Sequence, residues 1–137
     1  MYTLLYQYAN MSIGESYLAG QVTAQQATQK FIEFPWDEQL KQFQEDEGTS
    51  PTYWLKNSTD KVEFMASLVS EDTYYLCFTE NVTKRTLGLF PHTTKKNHAS
   101  YGHSYEDVKN TLDFFLQGDF KAVLHLLDQK ESVDSQL

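Results

Sequence analysis

Cysteine and long apolar runs are both scarce in this sequence. A single cysteine, Cys77, occurs among 137 residues, which excludes an internal disulfide framework and favours a reducing compartment. The apolar runs are only a few residues long, too short for a membrane-spanning helix. The first ten residues, MYTLLYQYAN, have no basic residue and no continuous apolar core, so they are not expected to be a secretory signal. These absences predict a cytoplasmic protein.

Glycine is scarce as well, and the motifs of common catalytic sites are missing. None of the six glycines falls in a G-x-G-x-x-G or G-x-x-x-x-G-K-[ST] spacing, so no phosphate cradle is predicted. No G-x-S-x-G motif provides a nucleophile. His92, His98 and His103 share one polar segment without a cysteine, and we interpret them as solvated residues rather than metal ligands. We therefore predict no metal, no cofactor, no small-molecule substrate and no enzymatic activity.

Basic residues are outnumbered by acidic ones and are unevenly distributed. Eleven Lys and Arg against nineteen Asp and Glu give a net charge of −8 at pH 7. Residues 84–103 hold four of the basic residues and no acidic residue. An acidic surface repels nucleic acid and anionic membranes and attracts basic proteins. A basic protein is therefore the expected partner, and neither nucleic acid nor a membrane is expected.

Residues 51–91 show the clearest strand pattern. Within KVEFMASLVS, Val62, Phe64, Ala66 and Leu68 alternate with a second set of side chains, as in a strand with one buried face. Short polar connections between such segments are typical of antiparallel sheets. The strands predicted here cover residues 51–57, 61–70, 73–81 and 85–91.

Helical signals are strongest near the C-terminal end. Ser104 is a good N-cap residue, Gly118 can end the helix that follows, and Asp119 can cap a second helix. The predicted fold is α+β: an antiparallel sheet of about four to six strands with short helices, two of them C-terminal, packed on one face. Elsewhere we predict a strand over 2–8, a loop over 10–20, a strand over 26–34, a helix over 37–45 and a loop over 90–103. A single domain over 1–130 and a frayed tail over 131–137 complete the prediction.

Aromatic and acidic side chains are the candidates for a binding surface. Adjacent aromatic pairs such as Tyr53–Trp54 and Tyr74–Tyr75 cannot both point into one core if the strands alternate. One ring of each pair then faces outward as an interface anchor, or packs beneath the N-terminal segment. The acids at 45–47 oppose the dipole at the C-terminal end of a helix, so they are either simply solvated or serve a partner. The candidate partner-binding residues are Asp37, Glu38, Glu45, Asp46, Glu47, Trp54, Glu71 and Asp72.

Two segments of the chain resemble the immunity proteins with which bacteria neutralise toxins, including those of contact-dependent growth inhibition systems. These are SPTYWL, which follows an acidic helix, and YEDVKNTLDFFLQGDFKAVLHLL near the C-terminal end. The resemblance implies an inhibitor that covers the active site of a basic toxin, commonly a nuclease. An alternative geometry sets the basic residues 84–103 against an acidic patch of the partner. Two other classes remain open: an intracellular adaptor such as a secretion chaperone, expected to dimerise, and a small enzyme with a deep polar pocket.

Overall fold

The computed structural model describes residues 1–86 and 90–130, which form six strands and four helices. None of the helices in these two ranges is long and apolar enough to cross a membrane. In chain order the elements are β1 (Tyr2–Gln7), β2 (Tyr17–Val22), α1 (Ala24–Glu33), α2 (Trp36–Asp46), β3 (Thr52–Asn57), β4 (Val62–Ser70), β5 (Thr73–Thr86), β6 (Phe90–His103), α3 (Tyr105–Leu116) and α4 (Phe120–Asp128).

The strands form one sheet in the order β2-β1-β3-β4-β5-β6, and all neighbours are antiparallel. The helices contact the sheet along its length, with α1 on β1 and β2, α2 on β4, and α3 and α4 on β5 and β6. The predicted α+β fold, with two C-terminal helices, is confirmed.

The alternation predicted for β4 is confirmed. Phe64 lies opposite Leu55 of β3 and Phe78 of β5, and all three side chains are buried in the core beneath the helices. The intervening residues of β4 point to the other face of the sheet. There Met65 is half-buried and lies opposite Trp54.

The strand predicted over residues 26–34 is wrong, because α1 occupies most of this segment. The Thr23 hydroxyl accepts a hydrogen bond from the Gln26 backbone N–H (3.2 Å), and the Gln26 side chain accepts one from the Thr23 N–H (2.9 Å). This capping box satisfies donors that a helix start otherwise leaves unpaired. Ala27 and Phe31, four residues apart, are both buried, as one face of a helix requires.

Two segments predicted as loops also form strands. The end of the 10–20 segment belongs to β2, and all of the 90–103 segment is β6. Both strands lie at edges of the sheet, where water contacts the backbone and polar side chains are tolerated. Their sequences therefore lack the apolar alternation by which a strand is usually predicted.

β5 and β6 continue beyond the rest of the sheet as a two-stranded ribbon. β4 pairs with β5 only as far as Val62 opposite Glu80, whereas the β5–β6 pairs extend to Thr86 opposite Phe90. The separate strand predicted over 85–91 is therefore wrong, because its ends belong to β5 and β6. Its central residues, 87–89, lie outside the described residues.

The C-terminal helices begin and end where the sequence predicts. The Ser104 hydroxyl accepts a hydrogen bond from the Asp107 N–H (3.2 Å), and Asp119 accepts one from the Ala122 N–H (3.2 Å). Gly118, between the two helices, has a φ of 76°, which glycine adopts without a side-chain clash. The predicted frayed tail, 131–137, lies outside the described residues, and the single domain over 1–130 stays a prediction.

The helix predicted over 37–45 is confirmed as α2, which extends one residue further at each end. The left-handed residue that ends the helix is Glu47, with a φ of 50°, and Gly48 follows it. A Cβ atom on Gly48 would collide with the carbonyl oxygen of Ala9. Gly48 is therefore required by the close approach of two chain segments.

Replacing Glu47 by glycine is expected to raise the free energy of unfolding by about 0.5–1 kcal/mol, because glycine adopts this φ without strain. Urea denaturation measures the difference. Glu47→Gln is the control: it removes the same charge from the helix end but keeps the Cβ atom, so its gain is expected to be smaller. Equal gains in both variants would show that charge, and not backbone strain, governs this position.

Candidate functional site: an acidic aromatic cleft

A cleft of about 630 Å³ opens where the α1–α2 connection, the start of α2, the β4–β5 turn and the start of α3 meet. We call it the acidic cleft. Four carboxylates line it, and none of the described lining residues is basic. These carboxylates belong to Asp37, Glu38, Glu71 and Asp72. The aromatic residues of its wall are Phe34, Trp36, Tyr74 and Tyr105.

Two separate elements bring the carboxylates together. Asp37 and Glu38 lie in the first turn of α2, where negative charge is favoured by the helix dipole. Glu71 and Asp72 form the tight turn between β4 and β5. The Asp72 carboxylate accepts a hydrogen bond from the Tyr105 backbone N–H (2.9 Å). This bond fixes the turn against the start of α3.

The aromatic wall is held by the core behind it. The Trp36 indole N–H donates to the carbonyl oxygen of Phe31 (3.2 Å), and the Trp36 ring centroid lies 4.4 Å from that of Phe34. Tyr74 meets Trp36 edge-on at 5.3 Å and lies 6.4 Å from Tyr105. Packed rings of this kind have few alternative rotamers, so the wall is preformed.

The Tyr74 hydroxyl is the most unusual polar group of the cleft. Tyr74 is only 3% exposed as a whole residue, but its hydroxyl, which makes no hydrogen bond to another described residue, is not one of the buried unpaired atoms and so opens onto the cleft. Burial is the main reason that the pKa of Tyr74 is raised above its ordinary value of 10. The negative charges of Asp72 and Asp37 raise this pKa further. The raised pKa therefore keeps the hydroxyl protonated at neutral pH.

The arrangement suits an organic cation better than a metal ion. Within 1–86 and 90–130, no three His, Cys, Asp or Glu side chains are close enough together to hold a metal. The carboxylates instead share the cleft with aromatic side chains, of which Tyr105 is only half-buried, and aromatic rings attract ammonium and guanidinium groups. A basic side chain of a protein partner matches this chemistry.

Of the eight candidate binding residues, four meet in the cleft and four do not. Glu45, Asp46 and Glu47 lie at the opposite end of α2, about 15 Å away along the helix. Trp54 lies on the face of the sheet that the helices leave uncovered. Its indole N–H donates to Glu63 (3.0 Å), and Lys56 lies 4.1 Å above its ring. Whether any of the eight binds a partner stays a prediction.

All four aromatic residues of the cleft are absent from the eight sequence-based candidates: Phe34, Trp36, Tyr74 and Tyr105. A local signal exists for two of them, since Trp36 directly precedes two acids at a helix start and Tyr74 follows Glu71 and Asp72 closely. No signal in the sequence connects Tyr105 to the others, because only the folded chain brings α3 to the β4–β5 turn.

The basic segment predicted as an alternative surface is folded into the edge of the sheet. Lys95 lies 3.7 Å from the Glu63 carboxylate, and His98 lies 3.1 Å from that of Glu80. Acidic residues of neighbouring strands thus partly neutralise the described part of this segment. The acidic cleft has no comparable basic neighbour among its described lining residues.

A serine, a histidine and an aspartate lie near one another at the end of β6, but they do not form an accessible site. Ser100 Oγ is 2.6 Å from His103 Nε2, and His103 Nδ1 is 3.8 Å from the Asp107 carboxylate. Ser100 and His103 are 1% and 0% exposed, so a substrate cannot reach the hydroxyl. The interpretation of His103 as a solvated residue is therefore wrong, because this histidine is buried beneath the start of α3.

Acid is expected to destabilise the protein through His103. Burial lowers the pKa of His103 below its ordinary 6.5, although Asp107 partly opposes this effect. As the pH falls below 6.5, His103 therefore binds a proton more readily in the unfolded chain than in the folded chain. Stability is expected to be constant above this pH and to fall as pH drops below 6.5, by up to roughly 1.4 kcal/mol per pH unit.

Urea denaturation between pH 8 and 5 tests this expectation, with His103→Gln as the control. The variant is expected to be less stable at pH 8 but to lose less stability on acidification. A variant that loses as much as the original chain would exclude His103 as the cause.

Comparison with known proteins identified no relative that would indicate the family or the function of this chain. No protein-family model matches the chain, and searches of curated proteins and of solved structures returned no match.

Proposed function

We propose that this protein is an immunity-type inhibitor that binds a basic toxin through the acidic cleft and thereby blocks the toxin's active site. The observation that carries the proposal is the cleft itself, which four carboxylates and four aromatic side chains line and in which none of the described lining residues is basic. Aromatic anchors surrounded by charge are typical of high-affinity protein interfaces. The resemblance of two sequence segments to toxin-immunity proteins agrees with this assignment.

The net charge of −8 supports the same function on kinetic grounds. A strongly acidic protein attracts a basic partner over long distances and so accelerates association. An inhibitor of a lethal enzyme benefits from fast capture, because damage accumulates while the toxin is free. Such an inhibitor acts in the cytoplasm of the cell that makes it, and it needs no catalytic chemistry of its own.

Co-expression with the product of the gene immediately upstream tests the proposal. We expect a stable one-to-one complex with a protein that is lethal when expressed alone. If the tagged chain purifies alone beside a harmless neighbour, the immunity function is wrong. A homodimer in the absence of any partner would instead favour an adaptor or secretion chaperone.

A further inference from the structure

We propose that the acidic cleft is a receptor for one arginine side chain presented by the partner. This inference rests on the proposed function, because it names the group through which the partner enters the cleft. It also makes a separate chemical claim, since it distinguishes arginine from lysine and from a metal ion.

The first argument is the hydroxyl of Tyr74. Tyr74 lines the cleft and is only 3% exposed as a whole residue. Its hydroxyl makes no hydrogen bond to another described residue and is not one of the buried unpaired atoms, so it opens onto the cleft. A ligand N–H that enters the cleft can donate to this oxygen. The hydroxyl therefore indicates a ligand that carries hydrogen-bond donors.

The second argument is the arrangement of the acceptors. Asp37 and Asp72 reach the cleft from two different elements, α2 and the β4–β5 turn, and Tyr74 lines the same cleft from β5. One ligand that engages all three groups needs several donors pointing in different directions. The guanidinium group offers five N–H donors in a rigid plane, whereas an ammonium group is a compact and strongly hydrated point charge.

The third argument is the aromatic wall. Tyr105 lines the cleft and is only half-buried, and a planar guanidinium group stacks on such a ring more favourably than an ammonium group does. A volume of about 630 Å³ is within the usual range for binding pockets. It leaves room for the short loop that would carry the arginine.

The test uses short peptides and the fluorescence of Trp36. Trp54→Phe leaves Trp36 as the single tryptophan, because the chain contains only two. The probes are acetyl-Gly-Arg-Gly-amide and the same peptide with lysine or with uncharged citrulline. At low salt we expect the arginine peptide to change the Trp36 emission with a dissociation constant on the order of 1 mM. The lysine peptide is expected to bind at least fivefold more weakly, and the citrulline peptide not to bind.

Tyr74→Phe then tests the role of the hydroxyl. We expect the variant to bind the arginine peptide about fivefold more weakly, as loss of one hydrogen bond predicts. Tyr101→Phe is the matched control, since Tyr101 contacts Tyr75, whose side chain points to the opposite face of the sheet from Tyr74, and Tyr101 does not line the cleft. It is expected to leave binding unchanged.

The outcomes separate this inference from the proposed function. Selective arginine binding that depends on Tyr74 supports the inference even if no toxin co-purifies. A toxin that co-purifies while the arginine peptide fails to bind, or binds no better than the lysine peptide, overturns the inference and leaves the immunity function standing. Equal effects of Tyr74→Phe and Tyr101→Phe overturn it as well.

Discussion

Replacing Phe115 by alanine is expected to lower the free energy of unfolding by about 3–5 kcal/mol. Phe115 is 1% exposed, and its ring centroid lies 5.7 Å from Phe64, 6.1 Å from Phe78 and 5.9 Å from Phe120. The ring therefore joins α3 to β4, β5 and α4 at once. Its removal leaves a cavity that these rigid rings cannot fill. Urea denaturation at pH 8 measures the loss.

Phe114→Ala is the matched control on the same helix. Phe114 is only half-buried, so the same truncation removes less contact area and is expected to cost about 1 kcal/mol. Because small domains are stable by only about 5–15 kcal/mol, the Phe115 variant can be largely unfolded at 37 °C. If Phe115→Ala and Phe114→Ala lowered the free energy of unfolding by amounts within about 1 kcal/mol of each other, Phe115 would not be at the centre of the core.

The elements that the sequence predicts correctly are those whose ends carry explicit local chemistry. α3 and α4 follow from Ser104, Gly118 and Asp119, each of which acts through a neighbour only a few residues away. β4 follows from its alternation, because one face is buried and the other is not. Such signals act within one element, so the sequence displays them directly.

The failures have physical causes as well. In α1, the cap formed by Thr23 and Gln26 decides the structure, whereas the density of Phe and Ile after Lys30 suggests a strand. In β6, exposure at the sheet edge removes the apolar pattern. A search for Thr followed three residues later by Gln would have identified the start of α1. No local rule identifies β6, because a position at the edge is a property of the whole sheet.

The candidate site shows the same division between local and global information. Composition alone identifies acidic and aromatic side chains as the candidates for a binding surface. Which of them act together depends on contacts between residues far apart in the chain, such as the hydrogen bond from Tyr105 to Asp72. The fold brings four of the eight candidate residues together in the cleft. The other four, Glu45, Asp46, Glu47 and Trp54, lie elsewhere.

Neutralising the cleft is expected to weaken binding of the proposed toxin partner on the order of 100-fold at low salt, since close charge pairs at interfaces contribute several kcal/mol together. The variant combines Asp37→Asn, Glu71→Gln and Asp72→Asn. Asparagine at 72 tolerates the left-handed backbone there, where φ is 45°, and still accepts the hydrogen bond from the Tyr105 N–H. The fold is therefore kept, and only about 0.3–1 kcal/mol is lost with Asp37 at the start of α2.

The matched control is the triple variant Glu45→Gln, Asp46→Asn and Glu47→Gln. It also removes three negative charges, but from the far end of α2. Surface charges that act only by long-range attraction change the association rate and are screened by salt. We therefore expect this control to lose less than tenfold in affinity, and the loss to vanish at high salt. The cleft variant should also dissociate faster, and that difference should persist in salt because the contacts are local. Equal losses in both variants would show that the toxin responds to net charge alone, and the cleft would then have no special role.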